Sequence, residues 1–273
     1  DDDDAIQAED TAISANKLNG ATQVAPVLNR EYGVTATALA SAVTASDPME
    51  NILNRLADTR LKQRQKTLVS MLRGIFDTAL SANSEDNFTE DVATDGLTNK
   101  LIDGDMVIDA IGRMGELADD LETGAMFVHP VIYSALKKQD ENDFERVSQI
   151  PFNFETYKGI PIFRSNMLSR AGSTDGTVYE THLLTEGVFA RGEKPQVGDQ
   201  IDAASLQFYP DREKNNESIF DRTRFLLHLE GMKWTGSPSG QSATNAELAT
   251  AGNWDLAYGN ADRVGAIRIR TNG

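Results

Sequence analysis

The sequence predicts an α+β fold of elongated outline, on three observations. Residues 47–82 carry one uninterrupted helical pattern of about 35 residues. Downstream segments alternate apolar and polar residues with the period of strands, residues 152–164 most clearly. Helices and strands then follow one another without the βαβ rhythm of a doubly wound sheet. At 1.5 Å per residue the long helix reaches roughly 50 Å. That exceeds the width of a compact domain of this length and implies a flattened molecule.

Residues 1–46 are rich in Ala, Thr and Asn and read as arm and loop, with a β-like piece over 22–28. The long helix has a full start signal: Asp47 at the N-cap, Pro48 at the first helical position and Glu50 three residues after Asp47. Met49, Ile52, Leu53 and Leu56 give one apolar end; Leu68, Met71, Leu72, Ile75, Phe76, Ala79 and Leu80 give the other. Between them residues 58–66 hold one large apolar residue, Leu61. Both ends are expected to pack, the middle to be mostly wet, and Gly74 to be the weakest point of the helix.

Residues 84–98 are acidic and turn-like. A second helix is expected over 105–121, with Val107, Ile111, Met114, Leu117, Ala118 and Leu121 on one face. A short strand, 125–128, leads through His129 into a third helix that starts at Pro130 and runs to Lys138. Residues 152–164 form a hairpin turning on Lys158–Gly159. Residues 182–191 read as a strand pair broken by Gly187. Phe225, Leu227 and Leu229 alternate in a strand closing on Gly231. A helix over 244–258 opens on the T-x-x-E box of Thr244 and Glu247. Ile267 and Ile269 alternate with Arg268 and Arg270 in a terminal strand.

Composition narrows the function. Asp plus Glu number 42 against 26 Lys plus Arg, a formal net charge of −16. That charge repels a phosphate backbone and argues against direct nucleic-acid binding as the main task. Cysteine is absent, so no disulfide framework or thiolate metal site exists. No apolar stretch approaches the length of a membrane span.

Catalytic, cofactor and metal signatures are lacking. No P-loop, dinucleotide fingerprint, HExxH or nucleophile elbow occurs; in GSPSG, residues 236–240, Pro238 stands where an elbow needs Ser. His129, His182 and His228 lie far apart in sequence. They read as a cap or core partner and two strand positions rather than a zinc site. Asp103, Asp105 and Asp109 lack the Gly and Glu of a calcium loop, and helix capping explains Asp103 or Asp105 better. The run Asp1–Asp4 reads as a solvated acidic loop, and Asn87-Phe88-Thr89 and Asn216-Glu217-Ser218 as chance glycosylation matches. No catalytic, cofactor or metal residue is assigned.

Five segments, in order, carry a resemblance: SDPMENILNRLADTRLKQRQKTLVSMLRGIFDTAL from Ser46, AMFVHPVIYSALKKQD from Ala125, TYKGIPIFRSNMLSR from Thr156, THLLTEGVFARG from Thr181, and SATNAELATAGNWDLAYGNADRVGAIRIRTNG from Ser242. Together they resemble the major capsid (coat) proteins of tailed bacteriophages, in the Gp-thirteen-like branch. The resemblance implies the Hong Kong 97 capsid fold. Residues 1–46 would be extended loop and arm remnant, 47–96 a peripheral domain with the spine helix, 97–206 an axial domain, and 207–273 a return to the peripheral domain.

It further implies a non-enzymatic shell subunit in the virion, assembled in the bacterial host cytoplasm. Copies would join as hexamers and pentamers of an icosahedral head around double-stranded DNA, held without sequence-specific binding. Portal, scaffolding and decoration proteins would be partners, and a membrane would not. Members of the family carry a longer N-terminal arm, so residues upstream of Asp1 are expected. An aromatic pair frequent in mid-spine is replaced here by Thr59–Leu61, and no Lys–Asn crosslinking pair is identifiable. The alternatives are an encapsulin-like shell around protein cargo and an unrelated soluble hydrolase.

Overall fold

The computed structural model describes residues 22–37, 48–78, 89–91, 101–121, 124–139, 143–149, 152–171, 176–193, 204–211, 216–257 and 264–273. The long helix, α1, is unbroken over Pro48–Thr78 and about 46 Å long. Its expected cap, Asp47, and residues 79–82 lie outside the described residues.

Among the described residues, it is the C-terminal end of α1 that enters the core. Val69, Met71, Leu72, Ile75 and Phe76 are buried, because the 3.6-residue period sets them on one stripe. At the other end Ile52, Leu53 and Leu56 are half-buried, so that end packs less closely than the C-terminal end, and Met49 lies outside the described side chains. The middle is not uniformly wet. Leu61 is exposed, but Arg60 is buried and donates both to the Asp221 carboxylate and to the Asp221 carbonyl.

Gly74 is the point of closest approach, not a weakness. A Cβ built there would lie 2.1 Å from the Leu248 carbonyl oxygen and 2.7 Å from Trp254 Nε1. The surface it meets is made by the next element. In α4, Asn245–Leu248, the Thr244 side chain accepts from Glu247 N (3.2 Å) while the Glu247 carboxylate accepts from Thr244 N (2.8 Å), the capping box read from the sequence. The expected helix over 244–258 stops after this one turn. Trp254 Nε1 donates to the Leu248 carbonyl at 2.8 Å, a 3-10 turn follows over Ala251–Asn253, and Trp254 starts strand β13, Trp254–Leu256. Strand β12, Met232–Trp234, pairs with it, setting Trp234 and Trp254 edge to face at 4.9 Å.

Two larger sheets make up the rest. In the first, β1 (Val27–Thr37), β11 (Asn216–Leu229) and β10 (Ala204–Asp211) pair antiparallel in that order, with β9 (Phe189–Gly192) beside the inner end of β11. Strand β1 starts at Val27, so the β-like piece expected over 22–28 begins later and extends much further. The second sheet runs β2 (Thr89–Asp91), β14 (Ala266–Thr271), β8 (Thr177–Leu184), β3 (Ala125–Val128), β6 (Ile160–Arg164), β5 (Phe152–Tyr157) and β4 (Phe144–Gln149), with β7 (Ser169–Ala171) on β8. Its β2–β14 and β3–β6 pairs are parallel. The β5–β6 hairpin turns on Lys158 and Gly159 at φ 50° and 84°, the left-handed pair a two-residue loop requires. Residues 182–191 form no hairpin: at Gly187 (φ 76°) the chain leaves β8 of one sheet for β9 of the other.

Helix α2, Gly104–Arg113, ends sooner than residue 121. Gly115 takes φ 57°, and Gly115–Leu121 continues as 3-10 turns. Helix α3, Pro130–Gln139, follows the expectation closely. Strand β14 departs from simple alternation: Ile267 and Ile269 are buried, and so is Arg268. It lies inside the larger sheet between β2 and β8, not with β10 and β11.

The contact at Gly74 gives a substitution test. Alanine in an open helix interior stabilises by about 1 kcal/mol relative to glycine. Here overpacking outweighs that gain, so Gly74→Ala is expected to destabilise by roughly 2 kcal/mol. Denaturant unfolding measures it; a more stable variant would mean that the contact with Leu248 and Trp254 opens enough to admit a methyl group.

Candidate functional site

The described residues form no catalytic constellation. What they form is an anchorage of the long helix, with association surfaces around it. The anchorage begins with spacing. Arg73 and Asp77 are one turn apart on α1 and face the same way. On β8, Glu180 and His182 alternate onto one face, and the antiparallel register sets Arg268 of β14 opposite His182 and Arg270 opposite Glu180.

Packing α1 on this face buries a network of charges. Arg268, 2% exposed, donates Nη1 to Asp77 Oδ1 at 2.6 Å and Nη2 to the Phe76 carbonyl at 3.1 Å. Its guanidinium carbon lies 5.4 Å from the centre of the Phe76 ring. Arg170 donates Nη1 to Asp77 Oδ2 at 2.9 Å. Arg73 donates Nε to Glu180 Oε2 at 2.8 Å and Nη2 to the carbonyls of Met167 and Ser169, both at 2.9 Å. Arg268 and Arg170 also approach Glu180 Oε1 at 3.6 and 3.4 Å.

Three guanidiniums thus share two carboxylates, and the ionisation states follow. Burial alone would raise Asp77, but hydrogen bonds from Arg268 and Arg170 outweigh it and hold the carboxyl below its usual range. Burial likewise opposes ionisation of Glu180, and the guanidiniums of Arg73 and Arg268 outweigh it. His182 is wholly buried against Phe76 (5.3 Å between ring centres), neither ring nitrogen has a hydrogen-bond partner, and burial pushes its pKa down to about 3. A neutral His182 avoids a fourth cation beside three arginines.

The other residues singled out in the sequence are dispersed. His129 precedes α3 and accepts from Val131 N at Nδ1 (3.2 Å), a capping role. His228 lies in β11 against Gln23 Oε1 (2.5 Å). Asp103 occupies the N-cap position of α2 without a side-chain capping bond, while Asp105 and Asp109 lie within α2. Asn216–Ser218 opens β11; Asp1–Asp4, Asn87 and Phe88 lie outside the described residues. Among the described residues no cluster of His, Asp or Glu is placed to hold a metal ion, and no helix is long and apolar enough to cross a membrane.

Two surfaces suit association. Strand β10 is an edge of its sheet and exposes Leu206, Phe208 and Tyr209. A groove of 560 Å³ on α3 is lined by Leu101, Pro130, Val131, Ala135 and Gly273. Open edges and clustered exposed apolar side chains mark sites where another chain binds.

The buried histidine sets a pH dependence. Its folded pKa lies below the unfolded value of 6.5, so the unfolded state binds more protons between those values and stability falls as pH drops from about 6.5. His129 and His228, also lowered by burial, act in the same direction. Below the ordinary carboxylate range Asp77, Glu180 and Glu247 add their own loss. Unfolding free energies from pH 7 to 4 are expected to decline, and His182→Phe to flatten that limb. Arg268→Met, which leaves Asp77 and Glu180 underpaired, is expected to cost about 3–5 kcal/mol at neutral pH.

No protein-family model matches the chain. Over 261 residues, 94% of this chain and 76% of the other, it is 24% identical to the protein named major capsid protein of Bacillus phage SPP1. In structure it is similar to the capsid of Cyanophage P-SCSP1u, with a TM-score of 0.56 at 10% identity over 84% of this chain and 77% of that one. It is also similar to the SrpI encapsulin of Synechococcus elongatus PCC 7942, with a TM-score of 0.52 at 15% identity over 90% and 74%. The chain therefore has the Hong Kong 97-type capsid fold, an α+β architecture common to phage capsids and an encapsulin shell.

Proposed function

We propose that this chain is the major capsid protein of a tailed, double-stranded-DNA bacteriophage, in the Gp-thirteen-like branch. The observation that carries the reading is the sequence relation to a phage major capsid protein along 94% of the chain. The fold alone does not separate a virion from a cellular shell. The likeness to an encapsulin supports one second reading, a shell around protein cargo. Both make the chain a structural protein, not an enzyme.

In the proposed arrangement residues 1–46 are extended loop and arm, 47–96 and 207–273 peripheral domain, and 97–206 axial domain. Strand β14 then crosses the division and ties the returning segment to the axial sheet. Copies close as hexamers and pentamers into the head, assembled in the host cytoplasm. Portal, scaffolding and decoration proteins dock on the shell, and DNA is enclosed without sequence-specific contacts. A net charge of −16 suits a wall that must not grip a genome it later releases.

Electron microscopy of the purified full chain tests this. Closed particles with five- and six-membered rings are expected, with double-stranded DNA inside those recovered from infected cells. Particles filled with a dedicated protein favour the second reading. A chain that stays monomeric at high concentration contradicts both.

A further inference from the structure

We infer that the cleft beside the middle of α1 is an oxyanion site, taking a carboxylate side chain or a free phosphate. The cleft holds about 250 Å³ and is lined by Arg30 of β1, Arg60, Arg64 and Lys66 of α1, Phe225 of β11 and Asn245 of α4. Four cations converge there in a chain whose net charge is −16. Glu31, the acidic residue in the lining, is paired with Arg222 at 3.2 Å.

The cations differ in how far they are spent. Arg60 is committed to Asp221. Arg30 is half-buried, and its guanidinium donates to neutral oxygens at long range: the Asn29 carbonyl at 3.3 Å, Ser242 Oγ at 3.4 Å and Asn245 Oδ1 at 3.2 Å. Burial lowers the Arg30 pKa. Arg64 stands 5.7 Å from the Phe225 ring centre and makes a 3.4 Å contact to Glu193, which Arg191 already holds. A guanidinium so placed gains most from a planar, doubly accepting oxyanion.

Size selects the class. About 250 Å³ admits one carboxylate or phosphate group, not a duplex. The densest carboxylates in the sequence are in DDDDAIQAED, residues 1–10, six acids in ten. The inference is independent of whether the shell holds DNA or protein.

The test is a melting-temperature titration of the full chain with inorganic phosphate at fixed ionic strength. A saturable rise is expected. It should weaken at least about tenfold in apparent affinity in Arg30→Gln and in Arg64→Gln, and persist in Lys138→Gln, a lysine of the α3 groove. The melting temperature without phosphate reports folding of each variant, and Arg64, partly exposed, is the substitution least able to disturb it. A peptide of residues 1–10 that displaces phosphate identifies carboxylates as a ligand source; phosphate binding undisturbed by the peptide identifies the free anion. Equal shifts in all variants, or Arg30-dependent binding of duplex DNA, overturn the inference.

Discussion

The fold depends on the close seating of α1. At Gly74 the helix backbone meets the Leu248 carbonyl and the Trp254 indole with no room for a methyl group. One turn further on, Arg268 rises from β14 into the last turn of α1 and binds the Phe76 carbonyl and Asp77. A helix C-terminus leaves carbonyls unsatisfied and carries partial negative charge. A buried guanidinium there answers both, provided acids share its charge. Asp77 and Glu180 do so, and Arg73 and Arg170 complete the set.

This arrangement has a directional consequence. Arg268 comes from the last described strand, and the Leu248 carbonyl from an earlier segment of the same C-terminal region, so the seating of the helix depends on C-terminal elements far from it in sequence. Toward its N-terminus, α1 is held by Arg60 on Asp221 and by half-buried side chains at Ile52, Leu53 and Leu56. The spine is therefore anchored strongly at one end and weakly at the other. Under the proposed shell function, that less covered end is a place for a second copy to pack. The exposed apolar side chains of β10 and of the α3 groove have the same character.

Much of this was legible in the residues, and the exceptions have physical causes. The continuity of α1, the Lys158–Gly159 turn and the Thr244–Glu247 box rest on local rules, and all three appear as read. The helices expected over 105–121 and 244–258 were cut short by tertiary or backbone demands: the left-handed Gly115, and the bond from Trp254 to the Leu248 carbonyl. The role of Gly74 was invisible because its neighbours lie far along the chain. The ion network did leave a trace, in Arg73 with Asp77 at helical spacing and Glu180 with His182 at strand spacing. The alternation of Ile267 and Ile269 with Arg268 and Arg270 marks a strand, but one sequence does not reveal that α1 covers the face carrying Arg268. Asp47 and the acidic run at residues 1–4 lie outside the described residues.

The spine is held within its own chain at the C-terminal end, and under the proposed shell function another copy packs on its less covered N-terminal end. Amide hydrogen exchange along α1, compared between the dispersed chain and assembled particles, tests it most directly. Residues 69–76 should be protected in both states, and residues 51–58 should gain protection only in particles. Equal protection along the whole helix in the dispersed chain, or no gain at residues 51–58 on assembly, contradicts it.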